Sequence, residues 1–120
     1  MRSFEIADSA VKITSGQNAQ DNYDLIDMSV ERLNEYPDIQ MYWFHLEKFP
    51  SCHVILEIPS GNTLDVKFIT MAAQHTKNNS KYKNSHGIYV SYTPLTNIKK
   101  TGTVGEVEFK SSRKVKRIMV

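Results

Sequence analysis

The segments Met41–Leu46 (MYWFHL) and Cys52–Ile58 (CHVILEI) are rich in β-branched and aromatic residues, and only EKFPS separates them. Side chains of these types favour extended backbone, and the connector has hairpin length, so the pair predicts two adjacent antiparallel strands. SFEI and AVKIT alternate like short strands on either side of a turn at Ala7–Ser9, and GIYVSY, GEVEF and VKRIMV read as further strands. Pro94, Gly102 and Gly105 separate these last three. The loop SGQNAQDN leads into a helix over YDLIDMSVERLNEY, where Ile26, Val30 and Leu33 repeat at helical spacing before Pro37 ends the pattern. A second helix is expected over LDVKFITMAAQHTKN, capped by Asn62 or Thr63. Its apolar stripe is Leu64, Phe68 and Ala72, with Ile69 and Ala73 beside it. About six or seven strands and two principal helices predict an α+β fold, with the helices packed on a mostly antiparallel sheet.

The 120 residues suit one domain with one core, spanning 1–120. A single cysteine excludes an internal disulfide and fits a reducing compartment. No apolar run is long enough to span a bilayer, and MRSFEIADSA carries acids where a signal peptide needs an apolar stretch. The expected location is cytoplasmic, with no membrane partner. Charge is segregated along the chain. Residues 1–65 hold four basic and eleven acidic side chains, and residues 66–120 hold eleven basic and two acidic. The halves carry net charges of −7 and +9, which points either to a basic region that meets an anionic partner or to a scattered solvated surface.

His45, Cys52 and His53 allow three readings: a metal site, a nucleophile with its base, or strands of an ordinary core. Neighbours on a strand point to opposite faces, which argues against a Cys52–His53 catalytic pair and turns Cys52 toward the core. His45 and His53 would share a face if the strands pair. A zinc ion would need further ligands at suitable spacing, and none is evident nearby, so no metal and no cofactor is expected. There is no nucleophile elbow, phosphate-binding loop or dinucleotide fingerprint, and no catalytic residue is assigned. Asp24, Asp27, Glu31 and Glu35 form a row typical of a solvated helix face.

The order SGQNAQDN, YWFHL, SCHVIL, MAAQHTKNNSKYK, VSYTPLTNIKK, GEV resembles the NFACT-R domain, the RNA-binding module of ribosome quality-control factors, which also occurs as small stand-alone proteins. The resemblance covers residues 10–120. Its most specific pieces are Trp43-Phe44-His45, Ser51-Cys52-His53-Val54, Ala72-Ala73, Ser80-Lys81, Tyr92-Thr93 and Asn97-Ile98-Lys99-Lys100. Departures include Gln17 and Gln20, neutral where family members often carry arginine, and Met41 and Ser91 where an acid is common.

The resemblance implies a non-catalytic protein that binds structured RNA, tRNA or ribosomal RNA, in translation or ribosome quality control, with the ribosome as a further partner and DNA left open. Ser80 is included on the family motif. Lys81, Lys83, Lys99 and Lys100 fall in or beside loops, where they could reach phosphates. Asn18 and Asn22 could offer amide contacts, Asn22 having helix capping as its alternative role. His45, His53 and Tyr92 could stack on or hydrogen-bond to exposed bases. The two histidines are expected on one exposed or half-exposed face beside the basic loops. Trp43 and Phe44 are read as packing residues. Two other readings stand beside this one: a hydrolase or nucleic-acid-modifying enzyme using His45 and His53 as acid and base, and a protein-binding adaptor with an acidic helix. A basic groove beside the histidines would mark RNA binding, whereas a deep pocket with a strongly perturbed histidine would mark the enzyme.

Overall fold

The period-two alternation of residues 40–46 sends Tyr42, Phe44 and Leu46 to one face of a strand and Met41, Trp43 and His45 to the other. All of these but Tyr42 and His45 are buried, so this strand must be covered on both sides. The computed structural model describes residues 1–7 and 9–120 and shows how. Strands β1 (Arg2–Glu5), β2 (Lys12–Ser15), β3 (Gln40–Leu46), β4 (Val54–Ile58), β5 (Tyr89–Pro94) and β8 (Lys116–Met119) form one sheet in the order β1-β2-β4-β3-β5-β8. Every neighbouring pair is antiparallel. Helices α1 (Ala19–Glu35) and α2 (Val66–Asn78) lie on opposite faces of it. Strands β6 (Ile98–Lys100) and β7 (Val107–Phe109) form a separate two-stranded sheet on the α1 side. This is the α+β class expected, with six strands in the main sheet. The turn read at Ala7–Ser9 includes Asp8, which lies outside the described residues.

Two apolar layers follow from the alternation. On the α2 face Val11, Ile13, Phe44, Leu46, Val54, Leu56, Ile58 and Val90 pack against Phe68, Ile69, Ala72 and Ala73. Ala72 and Ala73 are wholly buried, and their small side chains let α2 approach the strands closely. On the α1 face Met41, Trp43 and Ile55 meet Tyr23, Leu25 and Ile26, together with Leu95 and Ile98 from the chain after β5. Glu57, buried on this face, is gripped by both Arg32 Nε and Nη2 from α1, so the charge is paired in a forked geometry.

Several local expectations change. Helix α1 begins at Ala19 rather than Tyr23 because the Asn18 side chain accepts the Asp21 N–H at 2.8 Å. Asn22 therefore lies inside the first turn and is not the cap. The buried face of α1 contains Asn22, Tyr23, Leu25, Ile26 and Ser29, whereas Val30 is 43% exposed. The two polar residues in that face hid its true phase. Helix α2 is capped by Asp65, which accepts the Lys67 N–H at 3.0 Å, and not by Asn62 or Thr63. Pairing of β3 with β4 stops at Phe44–Val54, so the connection is longer than EKFPS. Strand β6 was not anticipated; three residues ending in two lysines carry little strand signal.

The motif residue Asn97 holds the small sheet to the large one. Its Nδ2 donates to Thr93 Oγ1 and to the Ser111 carbonyl, both at 2.9 Å, and its Oδ1 accepts the Ser111 N–H at 2.9 Å. It is 3% exposed, so these partners have no solvent to replace it. Asn97→Ala is expected to leave buried polar groups unpaired and to cost about 2 kcal/mol or more. Thermal melting should show a fall of about 5 °C or more; an unchanged melting temperature would refute the assignment.

Candidate nucleic-acid interface

At one end of the main sheet the β2–α1 loop, the chain between β3 and β4, the end of α2 and the β6–β7 turn surround a cleft of about 650 Å³. Six sequence candidates line it: Asn18, Asn22, His45, His53, Ser80 and Lys81. Arg2, Ser15 and Gln17 join them. Arg2 comes from strand β1, whose pairing with β2 sets it opposite Ser15. No local motif announces Arg2; the sheet brings it there.

His53 sits at the base. Its ring meets that of His45 edge to face at 5.4 Å between centroids, so the two imidazoles do share a face. The expectation of an exposed or half-exposed pair needs correction, however: His45 is half-buried, but His53 is only 3% exposed. The reason is the layer above it. Trp43 Nε1 donates to His53 Nδ1 at 3.1 Å, the Asn22 amide oxygen accepts the His53 backbone N–H at 3.1 Å, and Gly16 N–H donates to the His53 carbonyl at 3.1 Å. A side chain at Gly16 would place its Cβ 2.1 Å from Asn22 Oδ1, so glycine is what lets loop and helix close over the histidine. Burial, followed by the neighbouring His45, lowers the His53 pKa to about 4, while a backbone hydrogen bond to Gly105 acts in the opposite direction. Because Nδ1 accepts from Trp43, the neutral ring carries its proton on Nε2.

His45 differs. Its Nδ1 lies 2.6 Å from the Leu46 carbonyl, which can only accept, so Nδ1 is the protonated nitrogen and Nε2 keeps a lone pair. Burial lowers its pKa too, with the Leu46 bond opposing. Trp43 stacks parallel to it at 5.7 Å. Cys52 turns to the α2 face and packs half-buried against that core, as expected, and burial raises its thiol pKa. Among the described residues no three His, Cys, Asp or Glu side chains converge as a metal site would require.

The remaining candidates lie elsewhere. Lys83 is exposed and does not line the cleft. Tyr92 is on the opposite face of the sheet, stacked on Phe44 at 5.3 Å. Lys99 pairs with Glu108 at 3.0 Å; Lys100 pairs with Asp27 at 2.7 Å and lies over the Tyr23 ring. Of the four loop lysines, only Lys81 therefore lines the cleft. Ser80 is half-buried and closes the turn after α2, donating to the Lys77 carbonyl at 2.6 Å and accepting from the Tyr82 N–H at 3.1 Å. In contrast, neither Arg2 nor Lys81 is in an ion pair among the described residues. With the N-terminal end of α1 they give the cleft its positive character, opposed on its rim by Glu106.

Known proteins are similar to this chain in sequence and in fold. Coiled-coil domain-containing protein 25 of Danio rerio is 32% identical over 114 residues, covering 90% of this chain and 51% of the relative. Its Bos taurus counterpart is 30% identical over 124 aligned residues, covering 98% of this chain and 56% of the relative. The chain thus spans about half the length of the relatives it matches. Among solved structures, the C-terminal part of the fibronectin/fibrinogen-binding protein from Streptococcus suis superposes with a TM-score of 0.74 at 21% identity. That match covers 98% of this chain and 44% of the other, and shows a common fold. Residues 2–111 match the family described as the NFACT protein RNA binding domain. The chain belongs to the NFACT-protein RNA-binding domain family.

Proposed function

We propose that the chain binds structured RNA, tRNA or ribosomal RNA, without chemistry, and serves translation or ribosome quality control in the cytoplasm. The observation that supports this reading most is the cleft itself, where Arg2 and Lys81, in no ion pair among the described residues, flank amide, hydroxyl and imidazole groups. The two cations and the α1 N-terminus suit phosphates. The free Nε2 of His45 suits a ribose 2′-hydroxyl donor, and Gln17 and Asn18 suit exposed base edges. Gln17 is neutral, so it adds no charge for a phosphate and leaves a larger share of recognition to neutral groups.

A perturbed histidine in a cleft is also the mark expected of the rival enzyme, so its cause matters. The His53 shift comes first from burial, and its Nδ1 is already occupied by Trp43. At neutral pH such a ring has no proton charge to deliver and no open lone pair to receive one. The perturbation is what a packed, hydrogen-bonded structural histidine produces.

Binding is tested by anisotropy titrations with labelled tRNA across a range of salt. Lys81→Glu should weaken binding and make the salt slope shallower by about one for each phosphate it no longer neutralises. Lys99→Glu should change affinity little, since Lys99 already faces Glu108. Equal weakening in both variants would refute the cleft as the binding surface.

The pH dependence of stability tests the histidine. An unfolded chain binds a proton at His53 near the ordinary pKa of 6.5, whereas the folded chain does so only near 4. Stability present above about pH 6.5 should therefore fall progressively as pH drops toward 4, by on the order of 3 kcal/mol from this group. The lowered values of His45 and His75 add in the same sense. Urea titrations at stepped pH should show a shallower decline in His53→Gln, whose amide can still accept from Trp43. An identical slope would mean that His53 is not held neutral by the fold.

A further inference from the structure

On the α2 face, remote from the histidines, a second cleft of about 390 Å³ lies between the start of α2, strands β3 and β5, and the segment leading into β8. Leu64 and Ile69 supply apolar lining; Tyr42 and Tyr92 are the aromatic walls, and Arg113, Lys114 and Lys116 provide the charge. One side of the Tyr92 ring rests on Phe44, with an interplanar angle of 14°, and the ring also borders the cleft. The three cations are carried on hydrogen-bonded backbone. Thr93 Oγ1 donates to the Lys114 carbonyl at 2.9 Å, tying the turn Ser112–Lys114 to β5, and Lys116 stands opposite Tyr92 in the ladder. None of the three is in an ion pair among the described residues, and no acid lines the cleft, whereas Arg32, Lys99, Lys100 and Arg117 all have carboxylate partners.

We infer that this cleft receives one nucleotide of a single RNA strand, the base against Tyr92 and the phosphate among Arg113, Lys114 and Lys116. Every base has a π-face that an aromatic ring can stack, and the flanking cations follow the backbone without reading sequence. An acidic peptide would use the charges but brings no aromatic base to stack on the tyrosines. The volume suits a single nucleotide and not a duplex. The inference goes beyond the histidine cleft and does not require it: the chain would hold RNA from both faces of its sheet.

Amide resonances of the whole chain, titrated with uridine 5′-monophosphate, inorganic phosphate, short oligouridylate and polyglutamate, decide the matter. Oligouridylate should shift Tyr92 and Arg113–Lys116 saturably, uridine monophosphate more weakly at the same amides, and phosphate least. Arg113→Glu combined with Lys116→Glu, both exposed, should reduce oligouridylate affinity about tenfold. Tyr92→Leu should reduce it about fivefold or more, with Tyr92→Phe close to the parent; should the leucine variant unfold, the charge variant carries the test. Polyglutamate or phosphate matching oligouridylate at these amides would overturn the inference, as would uridine monophosphate binding as tightly as the strand. Shifts confined to Gly16–Asn22 and His45 would overturn it while leaving the histidine cleft as the RNA site. Shifts confined to the second cleft, with tRNA also leaving the first untouched, would support it and overturn the function proposed for the first.

Discussion

The buried grip on His53 holds this end of the molecule together. Its N–H is taken by Asn22 from α1, its carbonyl by Gly16 from the loop before α1, and its ring by Trp43 from β3. Three separate chain segments thus converge on one residue just before β4. Each of these polar groups is out of water, so each depends on the others for a partner, and removing any one would leave a buried donor or acceptor unpaired. The wall of the cleft is made from this network, and the helix N-terminus borders the cleft with Asn22 anchored to His53.

Tyr23, the next residue of α1, extends the same organisation outward. Its hydroxyl accepts the Thr101 N–H at 3.1 Å and shares its proton between the Thr103 and Glu106 carbonyls, at 2.6 and 2.7 Å. The β6–β7 turn, which carries Gly105 and Glu106 to the cleft, is thereby fixed to the helix that carries Asn22, just after the Asn18 cap. Gly105 has φ +87°, and a Cβ there would lie 2.8 Å from that of Ala19, so this close approach is open to glycine. The second sheet is a lid held over one side of the site by hydrogen bonds at both ends, Asn97 at one and Tyr23 at the other.

Ion pairing separates the cations that brace the fold from those without a carboxylate partner among the described residues. The acidic row on α1 is not simply a solvated face, since Asp27 holds Lys100 and so joins the helix to the small sheet. Lys99 and Arg117 likewise meet carboxylates. The positive charge of the C-terminal half is therefore partly neutralised internally, and Lys81 and the segment from Arg113 to Lys116 are among the cations left without a carboxylate partner among the described residues.

Local pattern determined much of this protein. The β-branched and aromatic content of MYWFHL and CHVILEI, with their short connector, specified a central antiparallel pair, the stripe Phe68–Ala72 specified the buried face of α2, and the spacing of motif residues carried the family. These features were legible because each depends on neighbours a few residues apart. Tertiary structure decided the rest. Trp43 and Phe44 are both buried because helices cover both faces of the sheet. His53 became structural because Asn22 and Gly16 take its backbone groups and Trp43 its ring, whereas His45 stays half-buried. Lys99 and Lys100 acquired acidic partners nine and seventy-three positions away, and Arg2 reached the cleft through strand pairing. Burial and ion pairing depend on which distant segments meet in space, and sequence spacing does not carry that information.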